Sequence, residues 1–477
     1  MIGIDALDPD LLERWRDRLP HFSAMMEKGR YGRLESTFPP DSIPAWTSIY
    51  TGLDPSAHGG LEYIDYLDIK SGARLDVSRV RGKAFWDVAG HQGKRVLVVN
   101  PFMAYPAWPV NGTMISGPVF VTGEVSVEPP SFALPGPLPE LGGMVEFPTA
   151  RTLRSFYDRC TRVTEGQTEF FATLLKRERW DLAYVLFLTL DRVKHFYWRF
   201  EDREHPCHAE WGDEAHPIRT FYQLLDGAVG RLQEALPPGA TLLILSDHGH
   251  QRRCTRLFYV NEWLRRRGLL EAPGGGAGLL SPRVLLERSK NMALGLAFHL
   301  RAEDTLSRLA RHVPNRKALK RSDHVVRAQT SMARASSFAG VNPFGGIVLY
   351  PEACRRRGRT PGEVGAEILA GLRQVKDARG EPVVRWVRPR EEVVPAGANA
   401  ERYPDLLFEL DPSYGVSWSL YHSLFGPNLT MRKISGGHTR HGAVLSAGPR
   451  AAAVPPHGLR VTDISRLITA HFGIPPS

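Results

Sequence analysis

The chain has 477 residues, 42% of them hydrophobic and 23% charged, with a formal net charge of +10. That length accommodates roughly two or three average domains, or one large α/β enzyme domain with an insertion, and the ordinary composition excludes disorder as the main state. No apolar run reaches the roughly 18 to 20 residues needed to span a bilayer.

The start, Met-Ile-Gly-Ile-Asp, has no basic flank and apolar stretch of signal-peptide type, so the expected location is the cytoplasm. The cysteines, Cys160, Cys207, Cys254 and Cys354, form no CxxC pair, which argues against a disulfide framework or a thiolate zinc site. A positive balance suits nucleic acid, an anionic surface or a small phosphorylated substrate. Much of the excess is Arg in segments that read as solvated helix and loop, which disfavours nucleic acid as a partner. The oligomeric state is left open.

Short apolar runs alternate with amphipathic stretches through the first half, the pattern of a mainly parallel sheet flanked by helices. Residues 2–4 read as a strand leading to helices at 11–18 and 22–28. A helical stretch at 85–89 precedes strand-like runs at 96–99 and 114–116. Residues 168–179 are amphipathic and feed the strongest strand, 182–190; a helix at 217–236, stopped by Pro237-Pro238-Gly239, precedes the strand 241–246. A Gly-rich stretch at 273–278 opens an Arg- and Lys-rich region with helical spacing at 284–300 and 305–312. We read residues 261–330 as a basic, partly helical, cap-like insertion, or equally as a surface elaboration, within a core made of 1–260 and 331–477. The runs 346–350, 406–410 and 443–446 are expected to return the chain to the core sheet.

Ligands of such sheets bind beyond the carboxyl ends of the strands. Asp5, Asp191 and Asp247 all fall there, and His195, His248 and His438 lie close to the same runs. Three Asp and three His form a mixed hard and borderline donor set for two divalent ions, zinc by preference with manganese as the alternative. The dipeptide Asp247-His248 is the most specific element, because one strand end then carries two ligands. Asp191 and His195, four residues apart on a helical turn, can lie on one face, although a capping Asp beside a packed His fits that spacing equally. Ser42 lies just before Ile43-Pro44, where Pro favours a first helical turn at 44–50. Alone it reads as an N-cap; beside two metals it becomes the nucleophile candidate, since coordination can ionise a hydroxyl without a neighbouring base.

In order along the chain, GIDALDPDLL, TFPPDSIPAWTSIYTGLDPSAHG, VVNPFMAYPAWPVNGTMISG, FLTLDRVKHFYWRF, LILSDHGH and GGHTRHGAVLSAGP resemble the motifs of the alkaline phosphatase superfamily. Within it they are most similar to the type I phosphodiesterase and nucleotide pyrophosphatase group, including bacterial members described as predicted phosphohydrolases or phosphomutases. The resemblance implies an alkaline-phosphatase-like α/β fold with helices on both sheet faces. It implies that Asp191, His195 and His438 hold one metal, and that Asp5, Asp247, His248 and the Ser42 oxygen hold the other. It further implies that Ser42, as a metal-bound alkoxide, attacks phosphorus and forms a phosphoseryl intermediate that is then hydrolysed.

Two departures bear on substrate. The pyrophosphatases usually carry Asn shortly after the nucleophile, where this chain has Ala45-Trp46, and Trp46 occupies the position where a sulfatase needs Arg. Asn100, Asn111, His250 and His441 are candidate substrate contacts, with turn formation as the alternative for the two Asn and support of the metal ligands for the two His. His58 reads as fixing a loop, and His205, His208 and His216 as a solvated loop. Tyr197, Trp198 and Phe200 read as packing. The expected function is two-metal hydrolysis of a phosphorylated small molecule, of phosphodiesterase or pyrophosphatase type. A phosphomonoesterase or phosphotransferase with the same site, and a non-catalytic anion- or nucleic-acid-binding protein on this fold, are the alternatives.

Overall fold

The structure is a computed structural model of the chain. It describes residues 1–60, 77–120, 123–212, 216–272, 330–337, 341–451, 454–455 and 457–475, with isolated positions 289, 292, 296 and 300. Two compact units divide the chain: residues 1–252, 396–399 and 434–477 form one, and residues 253–395 and 400–433 the other. The expected helices at 284–300 and 305–312 and the Gly-rich stretch at 273–278 lie outside the described residues, apart from the isolated positions.

In the first unit the strands are β1 (Ile2–Ile4), β2 (Arg30–Glu35), β3 (Val96–Val99), β4 (Gly112–Ser116), β5 (Ser126–Glu128), β6 (Leu182–Phe187), β7 (Leu242–Leu245) and β8 (Gly249–Arg252). In the second, β9 (Arg256–Tyr259), β10 (Ala333–Ser337), β11 (Phe344–Leu349), β12 (Val384–Pro389), β13 (Leu406–Leu410), β14 (Tyr414–Ser417) and β15 (Phe425–Pro427) follow. The chain then returns to the first unit with β16 (Gly436–Thr439), β17 (His441–Ala447) and β18 (Leu459–Arg460). The helices that matter for the site are α1 (Pro9–Arg14), α2 (Pro20–Lys28), α3 (Ser42–Thr51), α4 (Pro55–His58), α5 (Phe85–His91), α6 (Leu153–Arg177), α7 (Thr189–Glu201) and α8 (Pro217–Gln233).

Nine strands make the main sheet, in the order β18-β2-β17-β7-β1-β6-β3-β4-β5. Its centre, β7-β1-β6-β3-β4, is parallel, while β17 and β5 run antiparallel to their neighbours. Central parallel strands are covered on both faces, so they read as continuous apolar runs such as LAYVLF in β6. Side chains alternate between two cores. Ile4, Val99, Phe187 and Ile244 enter one core with Leu12 of α1, Phe22 of α2, Phe171 of α6 and Leu225 of α8. Val98, Tyr184, Leu186 and Leu245 enter the other with Ile49 of α3, Phe85 of α5 and Ile464. The expected α/β fold with helices on both faces is therefore present.

Boundaries differ from expectation where a motif changes structure within an apolar stretch. The run 182–190 ends as a strand at Phe187, and Thr189 already belongs to α7. The amphipathic stretch at 168–179 is the end of α6, a 25-residue helix. The expectation that 346–350 and 406–410 join the core sheet is corrected: β11 and β13 lie in a separate antiparallel sheet, β10-β11-β13-β12, in the second unit. That sheet has its own core, including Trp263, Ile347, Ile368 and Phe408. Only 443–446, within β17, pairs with β7 and β2 as expected. Among the described residues no helix is long and apolar enough to cross a membrane.

Candidate active site

Parallel strands β1, β6 and β7 deliver their carboxyl ends side by side. The Asp5 amide donates to the Phe187 carbonyl at 2.9 Å, which extends the β1–β6 ladder by one residue. Ala6 then turns in the left-handed region at φ 63, and its amide donates to Asp247 Oδ1 at 3.3 Å, so the ends of β1 and β7 are tied together. Asp191 sits in the first turn of α7 with His195 one turn later, and His438 arrives on the short ribbon β16–β8. All six expected metal ligands thus converge, in two groups of potential donors: Asp191, His195, His250 and His438, and Asp5, Asp247 and His248. Within each group the donor atoms lie within 4.8 Å of one another.

Three of the histidines share one orientation. Nδ1–H of His195 donates to Gly436 O at 3.1 Å, that of His438 to Pro40 O at 3.0 Å, and that of His248 to Gly249 O at 3.0 Å. The carbonyls assign the proton to Nδ1 and leave the Nε2 lone pair facing the carboxylates, as metal-ligating histidines require. Asp191 Oδ1 and Asp247 Oδ2 are buried without a hydrogen-bond partner, as are both ring nitrogens of His250. Buried lone pairs and carboxylate oxygens converging without donors are costly unless a cation lies among them, so the residues present fit divalent ions.

Electrostatics agree. Burial pushes the Asp5 carboxyl well above the usual range, with the Asp247 and Asp191 charges adding to it, and burial pushes Asp247 up to about 7. For Asp191 burial acts upward too, but His195 and His438 outweigh it and hold the carboxyl well below the ordinary value. His438 is raised: burial opposes its charge, but Asp191 and Asp41 overcome that penalty. Burial lowers His195, His248 and His250.

Ser42 does not cap its helix. The cap of α3 is Asp41, whose carboxylate accepts from the Ile43 amide at 3.1 Å, and Ser42 is the first helical residue. Its hydroxyl is therefore free to donate to His248 Nε2 at 3.1 Å, with Asp5 Oδ1 at 3.5 Å. The N-terminus of a 10-residue helix lies directly behind it, a place that favours an anion.

Two further residues support this group: Trp46, which the sequence marked only as a departure from the sulfatase pattern, and Lys194, which sequence reasoning passed over. Trp46 Nε1 donates to Asp5 Oδ2 at 3.0 Å. Gly3 makes room for that indole, since a Cβ there would lie 2.8 Å from Trp46 Cη2. Lys194 is fully buried on α7 and donates to Ala6 O at 2.7 Å and to the Tyr222 hydroxyl at 3.1 Å. Burial lowers its pKa to about 8. The sequence signal was available: position 194, three after Asp191, lies on the same helical face.

The secondary candidates fare differently. Asn100 adopts the turn that is its alternative reading: its Nδ2 donates to Leu186 O at 3.0 Å and its Oδ1 accepts from Gly142 N at 2.6 Å, at φ 60. Both ends are consumed in holding a left-handed turn. Asn111 precedes β4, at the opposite end of the parallel strands from Asp5 and Asp191, and donates to Lys94 O. His441 is exposed at the start of β17 and belongs to neither donor group. His250 is instead a member of the Asp191 group. His205, His208 and His216 sit in a loop, where His208 and His216 bond to Arg199 O and Glu201 respectively.

A parallel α/β sheet that carries paired Asp and His clusters and a helix-end serine at its strand ends defines a metal-dependent hydrolase of phosphoric esters. The chain belongs to the type I phosphodiesterase/nucleotide pyrophosphatase family, whose profile matches residues 1–423. Among solved structures it is similar to phosphonoacetate hydrolase from Sinorhizobium meliloti in complex with phosphonoformate, at 16% identity and TM-score 0.55 over 98% of this chain and 95% of that one. The same hydrolase with phosphonoacetate aligns at 15% identity and TM-score 0.53 over 98% and 95%. Human ectonucleotide pyrophosphatase/phosphodiesterase 5 aligns over 100% of this chain and 96% of that one, at 14% identity and TM-score 0.46. The likeness to phosphonoacetate hydrolase is one of fold. No curated protein matches the sequence.

Proposed function

We propose that the protein hydrolyses phosphate esters through a covalent phosphoserine on Ser42, with one divalent ion held by the Asp191 group and one by Asp5, Asp247, His248 and the Ser42 oxygen. The single observation that carries this reading is the Ser42 hydroxyl, released from capping by Asp41 and set 3.1 Å from His248 Nε2 at a helix N-terminus. Bound there, divalent ions lower the pKa of the hydroxyl and offset charge on the phosphoryl oxygens.

Ser42 Oγ forms the new bond to phosphorus as the bond to the leaving oxygen breaks, and the hydroxyl proton ends on the leaving alcohol. Water then attacks the phosphoserine, which restores the Ser42 hydroxyl and releases phosphate or a phosphomonoester. The N-terminus of α3 favours negative charge beside Ser42, while Trp46 and the Ala6 amide hold the carboxylates of Asp5 and Asp247 in place. A borderline ion such as zinc suits the three imidazoles of the Asp191 group, with manganese as the alternative. A phosphorylated small molecule is the substrate class. The family's name favours a diester or pyrophosphate over a monoester, and transfer to an alcohol acceptor is the second reading of the same site.

Ser42→Ala is expected to abolish turnover of aryl phosphate mono- and diesters while leaving ion content unchanged by mass spectrometry. Rapid acid quench of the native enzyme should trap phosphate on Ser42. Near-native turnover by Ser42→Ala with the same ions would refute the covalent route.

A further inference from the structure

We propose that His250 is a fourth protein ligand of the Asp191 group, so that the chain carries two chemically unlike metal positions: one nitrogen-rich and retentive, one oxygen-rich and exchangeable. This rests on the metal-dependent reading above and goes beyond its ligand assignment.

Asp191 Oδ1 is the hub of the group. His195 Nε2 lies 3.3 Å from it, His438 Nε2 3.4 Å and His250 Nδ1 3.7 Å, and the His195 and His438 Nε2 atoms are 3.0 Å apart. Donors arranged tetrahedrally around zinc, at bonds of about 2.0–2.1 Å, stand about 3.3–3.4 Å from one another. The measured separations scatter around that edge length. With their Nδ1 atoms facing carbonyls, His195 and His438 both turn Nε2 toward Asp191 Oδ1. Without a fourth donor the site would keep an open position; His250 fills it.

The chain places His250 there deliberately. It stands directly across from His438 in the antiparallel register of β8 and β16, which puts both rings on one face of the ribbon. Its amide donates to Asp8 Oδ2 at 2.9 Å, and Trp198 stacks on the ring at 5.8 Å and 25°. Gly436 leaves the space the ring needs, since a Cβ at that position would lie 2.6 Å from His250 Nε2. The ring is fully buried and neither nitrogen has a hydrogen-bond partner, so packing spends no part of its polarity.

The other group offers two carboxylates, one imidazole and a serine hydroxyl. Three imidazoles select a borderline ion, whereas a mainly oxygen set binds harder ions and exchanges them more readily. The nitrogen-rich Asp191 group is thus the one that retains its ion, and the oxygen-rich Ser42 group the one that exchanges it.

The test uses the full chain and Zn²⁺. With one equivalent bound, X-ray absorption fine structure should count three imidazoles around zinc, and one or two would overturn the proposal. With two equivalents, dialysis against increasing EDTA should release the ions in two separate steps. His250→Ala and the shape-filling His250→Phe, checked for fold by circular dichroism, should lower the affinity of the retained ion at least about tenfold and merge the steps. Co²⁺ in place of Zn²⁺ should lose its intense four-coordinate visible bands in both variants. Unchanged affinity and unchanged bands would overturn the role of His250 alone. A native chain that binds no Zn²⁺ would instead overturn the two-metal reading on which it rests.

Discussion

Replacing Trp46 by Phe isolates one hydrogen bond that the site depends on. The indole N–H donates to Asp5 Oδ2 at 3.0 Å, and both groups are buried. A hydrogen bond to a charged group contributes about 1.5–3 kcal/mol, and losing it leaves a bare carboxylate oxygen. At about 1.4 kcal/mol per decade that is roughly a 10- to 150-fold loss in the equilibrium that needs Asp5 ionised and oriented. The loss should fall on the Asp5, Asp247 and His248 group, because the Asp191 group has no contact with the indole among the bonds described. Phe keeps a ring where Trp46 stacks on Tyr50 at 6.0 Å, so the smaller volume adds a packing cost of about 1–3 kcal/mol to stability alone. Calorimetric titration with Zn²⁺ separates the two effects. We expect one of the two binding events to weaken about 10- to 100-fold while the other holds, with turnover falling in step. Two unchanged binding events in a folded Trp46→Phe protein would refute the orienting role of the indole.

Two other perturbations test the structure outside the reacting centre. His58 is buried, its Nδ1 accepts from the Gly60 amide at 3.0 Å and its Nε2–H donates to Ser48, and burial lowers its pKa to about 3. Between about pH 3 and 6.5 the unfolded chain therefore binds the extra proton, so stability rises with pH; it is lost on acidification below 6.5 by up to about 1.4 kcal/mol per pH unit. Urea unfolding of His58→Gln should show a shallower pH slope than the native protein over that window, and equal slopes would sink the assignment. Asn100→Ala removes two buried hydrogen bonds at a left-handed residue and should cost about 2–4 kcal/mol in urea unfolding, whereas Asn111→Ala should stay within about 0.5 kcal/mol. A raised KM with unchanged stability in Asn100→Ala would restore it as a substrate contact.

What the sequence made legible follows from which interactions are local. Asp5, Asp191 and Asp247 could be placed because each ends an apolar run that has to be a buried strand or its exit, and strand ends of parallel sheets face one way. The switch from strand to helix at Thr189 lay inside one such run and left no mark in hydrophobicity. Taken alone Ser42 reads as an N-cap, because Pro44 fixes the first turn only to within a residue; Asp41, one position earlier, takes that task and leaves the Ser42 hydroxyl for the site. His250 is the harder case. Its membership of the Asp191 group depends on the register of two four-residue strands, β8 and β16, that are brought together from far apart in the chain. Strands β11 and β13 show the same limit, since their residues announce a strand but not which sheet receives it.

Lys194 shows why such a site can fold before any ion arrives. Three carboxylates, Asp5, Asp191 and Asp247, are withdrawn from water around one small volume, and burying them ionised without partners would cost far more than the fold can offset. Lys194, buried on α7 and bonded to the Ala6 carbonyl next to Asp5, brings one positive charge near them when protonated. Protons can serve for the others, which is the direction in which Asp5, Asp247 and His438 are all displaced. On the two-ion reading proposed above, divalent ions would take the place of those protons, since the carbonyls of Gly436, Pro40 and Gly249 already hold three imidazoles by Nδ1. On that reading the electrostatic need that would draw cations to the buried carboxylates would also let the site accept a phosphoryl group. The charge gathered for Asp5, Asp191 and Asp247 would face phosphate oxygens near the N-terminus of α3.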